Sequence, residues 1–292
     1  MPQNVNDSSF GVWTGILISL LLARALAWAG SQGGYVIGDM GLFELCVSLA
    51  FSIQFAAFIP AYWLQTERFY DLVGSLTFLS ITACALHFGN SSDPRSVLMA
   101  LLVCIWALRL GGFLVLRVIK QRGDGRFDSI KTNAGRYLLA WMLQGLWVST
   151  TLGPTLAVLS SKAVTPLSAW GYLGVFVWLF GFAIEVVADE QKRRHRRCSK
   201  HFIKSGLWAW CRHPNYFGEV ALWTGVAILA APALQGWQCA TLVSPLFVYL
   251  LLTRISGVPI LEARSDERWG GQEEYEAYKD RTPPLFPWTR SF

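Results

Sequence analysis

Long apolar runs, separated by shorter polar segments, cover most of the chain. Inside a bilayer every backbone N–H and C=O must be paired within its own segment, so a run of roughly 20 apolar residues predicts one spanning helix. The pattern predicts an all-α, polytopic transmembrane helical bundle of about eight spans, with seven as the lower count. The predicted spans are 11–29, 42–64, 72–90, 97–116, 137–159, 167–188, 215–234 and 238–256.

The composition favours a membrane protein over the alternative, a large soluble enzyme with an apolar core. Of the 292 residues, 53% are hydrophobic and only 15% are charged, whereas soluble domains carry about 25% charged residues. The 14 Trp residues suit the two membrane–water interfaces. No Lys or Arg precedes the first apolar run, which predicts a retained helix rather than a signal peptide.

The positive charges are distributed unequally between the two sides of the predicted bundle. The loops after spans two, four and six, together with the tail after span eight, carry 21 Lys and Arg residues. The opposite loops carry two, Arg95 and Lys162. This bias predicts that both termini lie in the cytosol. It also accounts for the net charge of +6, so the lipid membrane is the predicted partner and nucleic acid is not.

The sequence predicts a single integral membrane domain over residues 1–292. It contains no internal repeat, no G-x-G-x-x-G after a strand and no P-loop motif, so neither a Rossmann nor a P-loop nucleotide site is supported. The six Cys residues show no CxxC spacing and the four His residues are not clustered. We therefore predict no metal site. Longer charged segments occupy 117–136, 189–215 and 254–292.

The most informative segment is Arg212-His-Pro-Asn-Tyr-Phe-Gly-Glu219. Proline suits the first turn of a helix, so Pro214 predicts the start of span seven. The free N–H groups and the positive end of that helix, beside Arg212, predict an anion site. Asn215 and Glu219 are four residues apart and share one helix face. A carboxylate inside a span predicts a polar cavity or a partner; an interface-anchored helix start is the structural alternative.

A second stripe of charges leaves span six. Glu185, Asp189, Lys192 and Arg196 recur at helical spacing on one side. The stripe is compatible with a bound phosphorylated nucleotide and equally with ion pairs at the membrane edge. The tail predicts a polar helix around 262–279, interrupted at Gly270–Gly271, with Tyr275 and Tyr278 on one side.

These segments together resemble the steroid 5-alpha-reductase-like family, most closely a large branch of bacterial and eukaryotic membrane proteins. The resemblance rests on the Arg212–Glu219 octet, Ala188–Lys192, Ser256–Glu262, Tyr275 with Tyr278, Trp106–Gly112 and Gly123–Phe127, and it covers roughly residues 65–287. It implies an NADPH-dependent reductase of a carbon–carbon double bond in a hydrophobic small molecule, a steroid-like or enone-like lipid. In a eukaryote it implies the endoplasmic reticulum membrane.

The resemblance also implies roles for individual residues. Residues 117–292 would hold the cofactor among the last helices and cytosolic loops, whereas residues 1–116 would form the substrate side. Asn215 and Glu219 would hold the nicotinamide. Asp189, Lys192, Arg196 and Arg254 would contact ribose and phosphates. The further expected cofactor-binding residues are Arg212, His213, Tyr216, Glu262 and Tyr278.

The acid that polarises the substrate carbonyl is not fixed by the resemblance. Steroid-reducing members use a Glu and a Tyr from early spans, and the first third of this chain departs from that pattern. The predicted catalytic candidates are Tyr62 in span two and Glu67, Tyr70 and Asp71 at the turn into span three. Other polar residues that could line the cavity are Glu44, His87, Arg109 and Gln144.

Two other functional classes stay open at this point. An S-adenosylmethionine-dependent membrane methyltransferase of the isoprenylcysteine type shares the Arg-His-Pro-x-Tyr start and the acidic, Tyr-bearing tail. Asn215, Glu219 and the Asp189-Glu-Gln-Lys192 segment favour the reductase. A non-catalytic lipid-binding membrane protein is the third reading.

Overall fold

The computed structural model describes residues 5–121, 125 and 127–287, and nearly all of its regular structure is helical. The helices are α1 (Val5–Gly30), α2 (Leu42–Trp63), α3 (Tyr70–Phe88), α4 (Pro94–Gln121), α5 (Ala134–Leu159), α6 (Ala169–Cys198), α7 (Pro214–Ala230), α8 (Ser244–Leu250), α9 (Val258–Trp269) and α10 (Glu273–Arg281). Shorter elements are 3-10 helices at Gly206–Ala209, Ala231–Ala233 and Gly236–Val243, a π-helix at Leu251–Ile255, and the antiparallel strands β1 (Val36–Ile37) and β2 (Met40–Gly41). Of the predicted Gly123–Phe127 motif, the described residues include only Gly125 and Phe127.

Seven segments of the described chain are long and apolar enough to cross a membrane. They are Phe10–Gly30, Leu42–Trp63, Tyr70–Phe88, Pro94–Leu116, Ala169–Cys198, Pro214–Ala233 and Gly236–Trp269. They correspond to seven of the eight predicted spans and fall within the predicted range of seven to eight. The prediction of a polytopic helical membrane bundle is confirmed, and the cytosolic position of the termini stays a prediction.

The chain divides into two compact units. Unit 1 comprises Met1–Leu167 and Ala230–Val243, and unit 2 comprises Ser168–Leu229 and Ser244–Phe292. This structural boundary differs from the predicted functional boundary after residue 116. The assignment of a substrate part and a cofactor part therefore stays a prediction.

The remaining predicted span, 137–159, corresponds to α5, which is the enclosed helix of unit 1. Helices α1, α2, α3 and α4 all pack on it, and every residue from Val148 to Leu159 is buried. A helix that is covered by protein does not need an apolar surface towards lipid, so it can carry more polar residues than its neighbours. Its buried polar residues are Gln144, Ser149, Thr150, Thr151 and Thr155.

Glycines bring α6 and α7 of unit 2 into backbone contact. A Cβ atom placed at Gly181 would lie 2.4 Å from the amide nitrogen of Leu222 and 2.6 Å from the carbonyl oxygen of Gly218. At Gly225 it would lie 2.5 Å from the amide nitrogen of Trp178. No side chain fits at such distances, so the two helices pack as closely as small residues allow in membranes. This packing fixes the start of α7 against the end of α6.

The C-terminal tail has the break that the sequence predicts. Helix α9 ends at Trp269, and α10 begins at Glu273. Between them Gly271 adopts a positive φ of 79°, a conformation that glycine adopts without steric cost. The turn sends α10 and the residues after it back towards the segment that precedes α7.

Candidate functional site

The Arg212–Glu219 octet forms the start of α7 as predicted. Pro214 is the first helical residue, a position where its missing N–H leaves no hydrogen bond unmade. The carbonyl of His213 accepts hydrogen bonds from the N–H groups of Tyr216 and Phe217, each at 3.1 Å. The positive end of the helix dipole therefore lies at His213 and Pro214.

Arg212 is a partly buried clamp between two distant parts of unit 2. Its Nε donates to Glu262 Oε1 at 3.1 Å, and its Nη2 lies 3.1 Å from Glu262 Oε2. Its Nη1 donates to the carbonyl oxygens of Lys279 at 2.9 Å and Thr282 at 2.6 Å. These contacts use four of the five guanidinium N–H groups. Arg212 can therefore offer at most one N–H to a ligand. Its predicted role in binding an anion would need more N–H groups than this.

His213 shares the same carboxylate. Its Nε2 lies 2.7 Å from Glu262 Oε1, and its side chain is almost fully buried. Burial lowers the pKa of His213, and the bond to Glu262 offsets only part of this effect. The ring is therefore neutral at pH 7, and Nε2 carries the proton that it donates to the carboxylate. Nδ1 is then an acceptor, buried and without a hydrogen-bond partner among the described residues.

The C-terminal tail closes over this segment. The N–H groups of Arg212 and His213 donate to the carbonyls of Pro283 at 2.9 Å and Pro284 at 3.0 Å. The hydroxyl of Tyr278 donates to the Trp208 carbonyl at 2.7 Å, and burial raises the pKa of Tyr278, so the phenol keeps its proton. Tyr278 thus anchors the tail, which gives it a structural role at this site.

Asn215 and Glu219 lie on α7 beside the end of α6. A Cβ atom at Gly218 would lie 2.7 Å from the amide nitrogen of Glu185, so the first two turns of α7 touch α6 where the predicted charged stripe begins. Glu185, Asp189 and Glu219 are all buried. The Oδ1 atom of Asn215 is buried and has no hydrogen-bond partner among the described residues. The structure therefore brings together the two segments that the sequence singled out.

The segment before α7 also covers the end of α6. Lys192 Nζ lies 4.5 Å from the ring centroid of Trp208, a cation–π contact. The indole Nε1 of Trp208 donates to the Ala188 carbonyl at 3.1 Å, and the N–H of Leu207 donates to Gln191 Oε1 at 3.0 Å. These contacts hold the segment before α7 against α6 between Ala188 and Lys192.

The other predicted cofactor residues lie at the edge of this region. Arg196 is exposed on the last turns of α6, and Arg254 is exposed on the π-helix. The ring of Tyr216 stacks on His213, with 5.7 Å between the ring centroids. Neighbouring Glu190, which is not part of the predicted stripe, pairs with Arg193 and Arg194 at 2.6 Å on the helix surface.

The four predicted catalytic candidates belong to unit 1. Glu67 lies in the turn between α2 and α3, is buried, and pairs with Lys131 at 3.1 Å. The Lys131 ammonium also bonds Asp128 at 2.9 Å, and both carboxylates raise the pKa of Lys131. The side chain of Glu67 therefore has an ion-pair partner within unit 1.

The remaining three candidates differ in how their polar groups are used. The hydroxyl of Tyr70 donates to the Ala140 carbonyl at 2.8 Å. Asp71 lies in the first turn of α3, where the helix dipole favours a negative charge. Tyr62 stacks on Phe58 with ring centroids 5.7 Å apart, and its hydroxyl makes no hydrogen bond to the described residues.

Several residues of this region had no signal in the sequence. Trp208 orders the loop before α7, and the carbonyls of Lys279, Thr282, Pro283 and Pro284 complete the clamp. Backbone acceptors leave no trace in residue type, and they lie about 70 positions from Arg212 along the chain. Pro283 and Pro284 are visible in the sequence, but the contact of their carbonyls with the octet is not.

Comparison with known proteins places the chain in a family. A family model described as "Protein of unknown function (DUF1295)" matches residues 57–282. An uncharacterized protein of Schizosaccharomyces pombe is 23% identical over 245 residues, 70% of this chain and 69% of that protein. The 3-oxo-5-alpha-steroid 4-dehydrogenase 1 of Bos taurus is 37% identical over 70 residues, 23% of this chain and 27% of the bovine enzyme. No solved structure matches. The matched region spans well over half of the chain, which therefore belongs to the DUF1295 family and is similar in part to a steroid dehydrogenase.

Proposed function

We propose that this protein is a membrane-embedded reductase that uses NADPH to reduce a carbon–carbon double bond, conjugated to a carbonyl, in a lipid. The partial similarity to the bovine enzyme supports a reductase-like membrane protein. The double bond, the lipid and the cofactor are the finer part of the proposal. The cofactor rests on the arrangement of side chains at the start of α7, whereas the double bond and the lipid follow from the resemblance to the steroid 5-alpha-reductase-like family.

The observation that carries the proposal is a pair of buried acceptors at this helix start. Asn215 Oδ1 and His213 Nδ1 are both buried, and neither has a hydrogen-bond partner among the described residues. An unsatisfied buried polar atom costs about 1–3 kcal/mol, so a ligand with N–H or O–H donors would stabilise the site. A nicotinamide dinucleotide has such donors in its carboxamide and ribose groups.

The rest of the dinucleotide would meet the end of α6. The carboxylate of Asp189 suits a ribose hydroxyl, and Lys192, Arg196 and Arg254 supply the positive charge that phosphates need. Because the clamp contacts occupy most of the N–H groups of Arg212, we assign the phosphates to these other cations. Glu219, one turn after Asn215 on the same face, would orient the nicotinamide end.

When bound, NADPH would supply the hydride that adds to the β-carbon of the substrate. The π electrons then move to the carbonyl oxygen, and the α-carbon takes up a proton. The protein must stabilise the developing enolate with a preorganised donor. Of the candidates Tyr62, Glu67, Tyr70 and Asp71, we propose Tyr62, because its hydroxyl is not used by the hydrogen bonds of the described residues.

The role of Tyr62 can be tested by its replacement with phenylalanine. We expect turnover of a 3-oxo-4-ene steroid to fall about 100-fold in the Tyr62→Phe variant. Stabilisation of the folded protein by NADPH should not change. Unchanged turnover would exclude Tyr62 and return the role to the other three candidates.

The cofactor class is tested by thermal unfolding of the purified protein in detergent. A ligand that binds only the folded state stabilises it by about 2.7 kcal/mol at 100 times its Kd. We expect NADPH to raise the Tm and S-adenosylmethionine to leave it unchanged. Asn215→Ala should weaken NADPH binding about tenfold.

A substitution on the exposed side of α10 provides the matched control. Glu273 is exposed and belongs to unit 2. The Glu273→Gln variant should therefore show the same rise in Tm with NADPH as wild type. A shift with S-adenosylmethionine alone would instead identify a methyltransferase. No shift with either ligand would favour a non-catalytic lipid-binding protein.

A further inference from the structure

The Arg212–Glu262–His213 cluster lies beside the proposed cofactor site and is more elaborate than helix capping requires. Glu262 accepts bonds from both residues, and the bidentate geometry with Arg212 fixes the orientation of its carboxylate. Glu262 Oε1 is then placed to accept a hydrogen bond from His213 Nε2, which lies 2.7 Å away. Arg212 is itself held by two tail carbonyls, so the carboxylate of Glu262 has a defined position relative to the tail.

This arrangement determines the hydrogen-bonding character of His213. A neutral imidazole has one donor nitrogen and one acceptor nitrogen, and the partner of one nitrogen sets the state of the other. A carboxylate can only accept, so Nε2 is the donor. Nδ1 is left as a buried acceptor at the helix start, without a partner among the described residues, and the stacked Tyr216 ring restricts rotation of the imidazole.

We propose that Arg212 and Glu262 are positioning residues that hold His213 in its Nε2–H form, so that Nδ1 accepts a hydrogen bond from a carboxamide or ribose donor of the bound cofactor. This inference rests on the proposed function. Whereas the sequence predicted that Arg212 and Glu262 contact the cofactor, in this proposal they orient His213. His213 then contacts the cofactor directly, and its Nδ1 favours a ligand that has a hydrogen-bond donor at this position.

Two substitutions separate this role from a purely structural one. The amide of a glutamine reaches the position of Nε2, so His213→Gln can keep the bond to Glu262 but lacks the Nδ1 acceptor. The amide of an asparagine lies near the position of Nδ1, so His213→Asn can keep an acceptor there but loses the bond to Glu262. If Nδ1 contacts the ligand, His213→Asn should bind NADPH more tightly than His213→Gln. If His213 has only a structural role, through its bond to Glu262, His213→Gln should bind NADPH more tightly than His213→Asn.

The experiment is an equilibrium titration of each variant with NADPH in detergent. We expect His213→Gln to bind NADPH about tenfold more weakly than wild type, since one buried hydrogen bond is lost. His213→Asn should bind better than His213→Gln. His201→Gln, at an exposed position of unit 2, is the matched control and should bind as wild type does. If His213→Gln binds NADPH like wild type, the inference is overturned while the proposed function stands.

A cofactor analogue identifies the donor group. The 3-acetylpyridine analogue of NADPH lacks the carboxamide NH2. If the carboxamide is the donor, the difference between wild type and His213→Gln disappears with this analogue. If a ribose hydroxyl is the donor, the difference persists, and either result supports the acceptor role. Failure of wild type to bind NADPH would overturn the proposed function itself, and this inference with it.

The wild-type protein provides a second measurement if the variants do not fold. Labelling the imidazole nitrogens of the four histidines with 15N allows the protonated and unprotonated nitrogens to be distinguished by NMR. We expect His213 to have an unprotonated Nδ1 whose resonance moves when NADPH is added. A protonated Nδ1, or a resonance that NADPH does not change, would overturn the inference.

Discussion

Replacing Gly181 by leucine is expected to prevent α6 and α7 from packing and to yield no folded protein. A Cβ atom at this position would already lie 2.4 Å from a backbone nitrogen of α7, and the rest of a leucine side chain has no space between the two helices. Even Gly181→Ala forces the backbones apart, and we expect it to destabilise the fold by about 3 kcal/mol. Thermal unfolding and gel filtration in detergent measure both effects.

A second glycine provides the control for this experiment. Gly112 lies in α4, another spanning helix, and a Cβ atom there would meet nothing within 4 Å. Gly112→Ala should therefore leave the Tm unchanged or raise it slightly, because alanine favours the helical conformation more than glycine does. If Gly181→Ala were as well tolerated as Gly112→Ala, the close packing of α6 on α7 would be refuted.

Replacing Arg212 by alanine is expected to release the tail from the start of α7. The variant loses the ion pair with Glu262 and two bonds to tail carbonyls, all of them at least partly buried. Removal of one partner from a buried ion pair costs about 3 kcal/mol. Thermal unfolding should show this loss, and limited proteolysis should cut the chain after α9 much faster than in wild type.

A surface ion pair of the same composition is the matched comparison. Arg193 pairs with Glu190 on the exposed side of α6, where solvent screens the interaction. Arg193→Ala should change neither the Tm nor the proteolysis pattern. Arg212→Lys keeps the charge but not the forked geometry, so it should recover only part of the stability. Equal Tm values for Arg212→Ala and Arg193→Ala would contradict the clamp.

The membrane architecture was predictable because apolar runs report directly on lipid-facing helices. Helix α5 is the one predicted span that is not among the seven apolar segments of the described chain. Its residues Ser149 to Thr151 and Thr155 are polar, and they are buried by neighbouring helices. A hydrophobicity pattern measures transfer into lipid, so it cannot distinguish such an enclosed helix from a weak span. The break at Gly270–Gly271 was predictable because it depends only on local conformation.

The candidate site was predictable only where its parts are local. Pro214 marks the helix start, and Asn215 and Glu219 follow from helical spacing on one face. The partners of Arg212 could not be predicted, because they lie 50 to 70 positions away and two of them are backbone carbonyls. A basic residue beside a helix start suggests an anion site in either case. Only the three-dimensional contacts show that Arg212 binds Glu262.

Several of the cations near the octet are already paired with carboxylates of the protein. The sequence predicted an anion site beside Arg212 and a charged stripe at the end of span six. In the structure, Arg193 and Arg194 pair with Glu190, and Arg212 pairs with Glu262. The proposed phosphate contacts are therefore limited to the cations at the end of α6 and on the π-helix, which are Lys192, Arg196 and Arg254. Their predicted effect on NADPH affinity should be larger than that of Arg193 or Arg194.

The most direct test of the central claim is hydrogen–deuterium exchange of the purified protein, followed by mass spectrometry, with and without NADPH. If a nicotinamide dinucleotide binds at the start of α7, NADPH should slow amide exchange in peptides that cover 185–196 and 206–219. S-adenosylmethionine should leave the same peptides unchanged. Unaltered exchange of both regions at saturating NADPH, or protection of 206–219 by S-adenosylmethionine alone, would contradict the account.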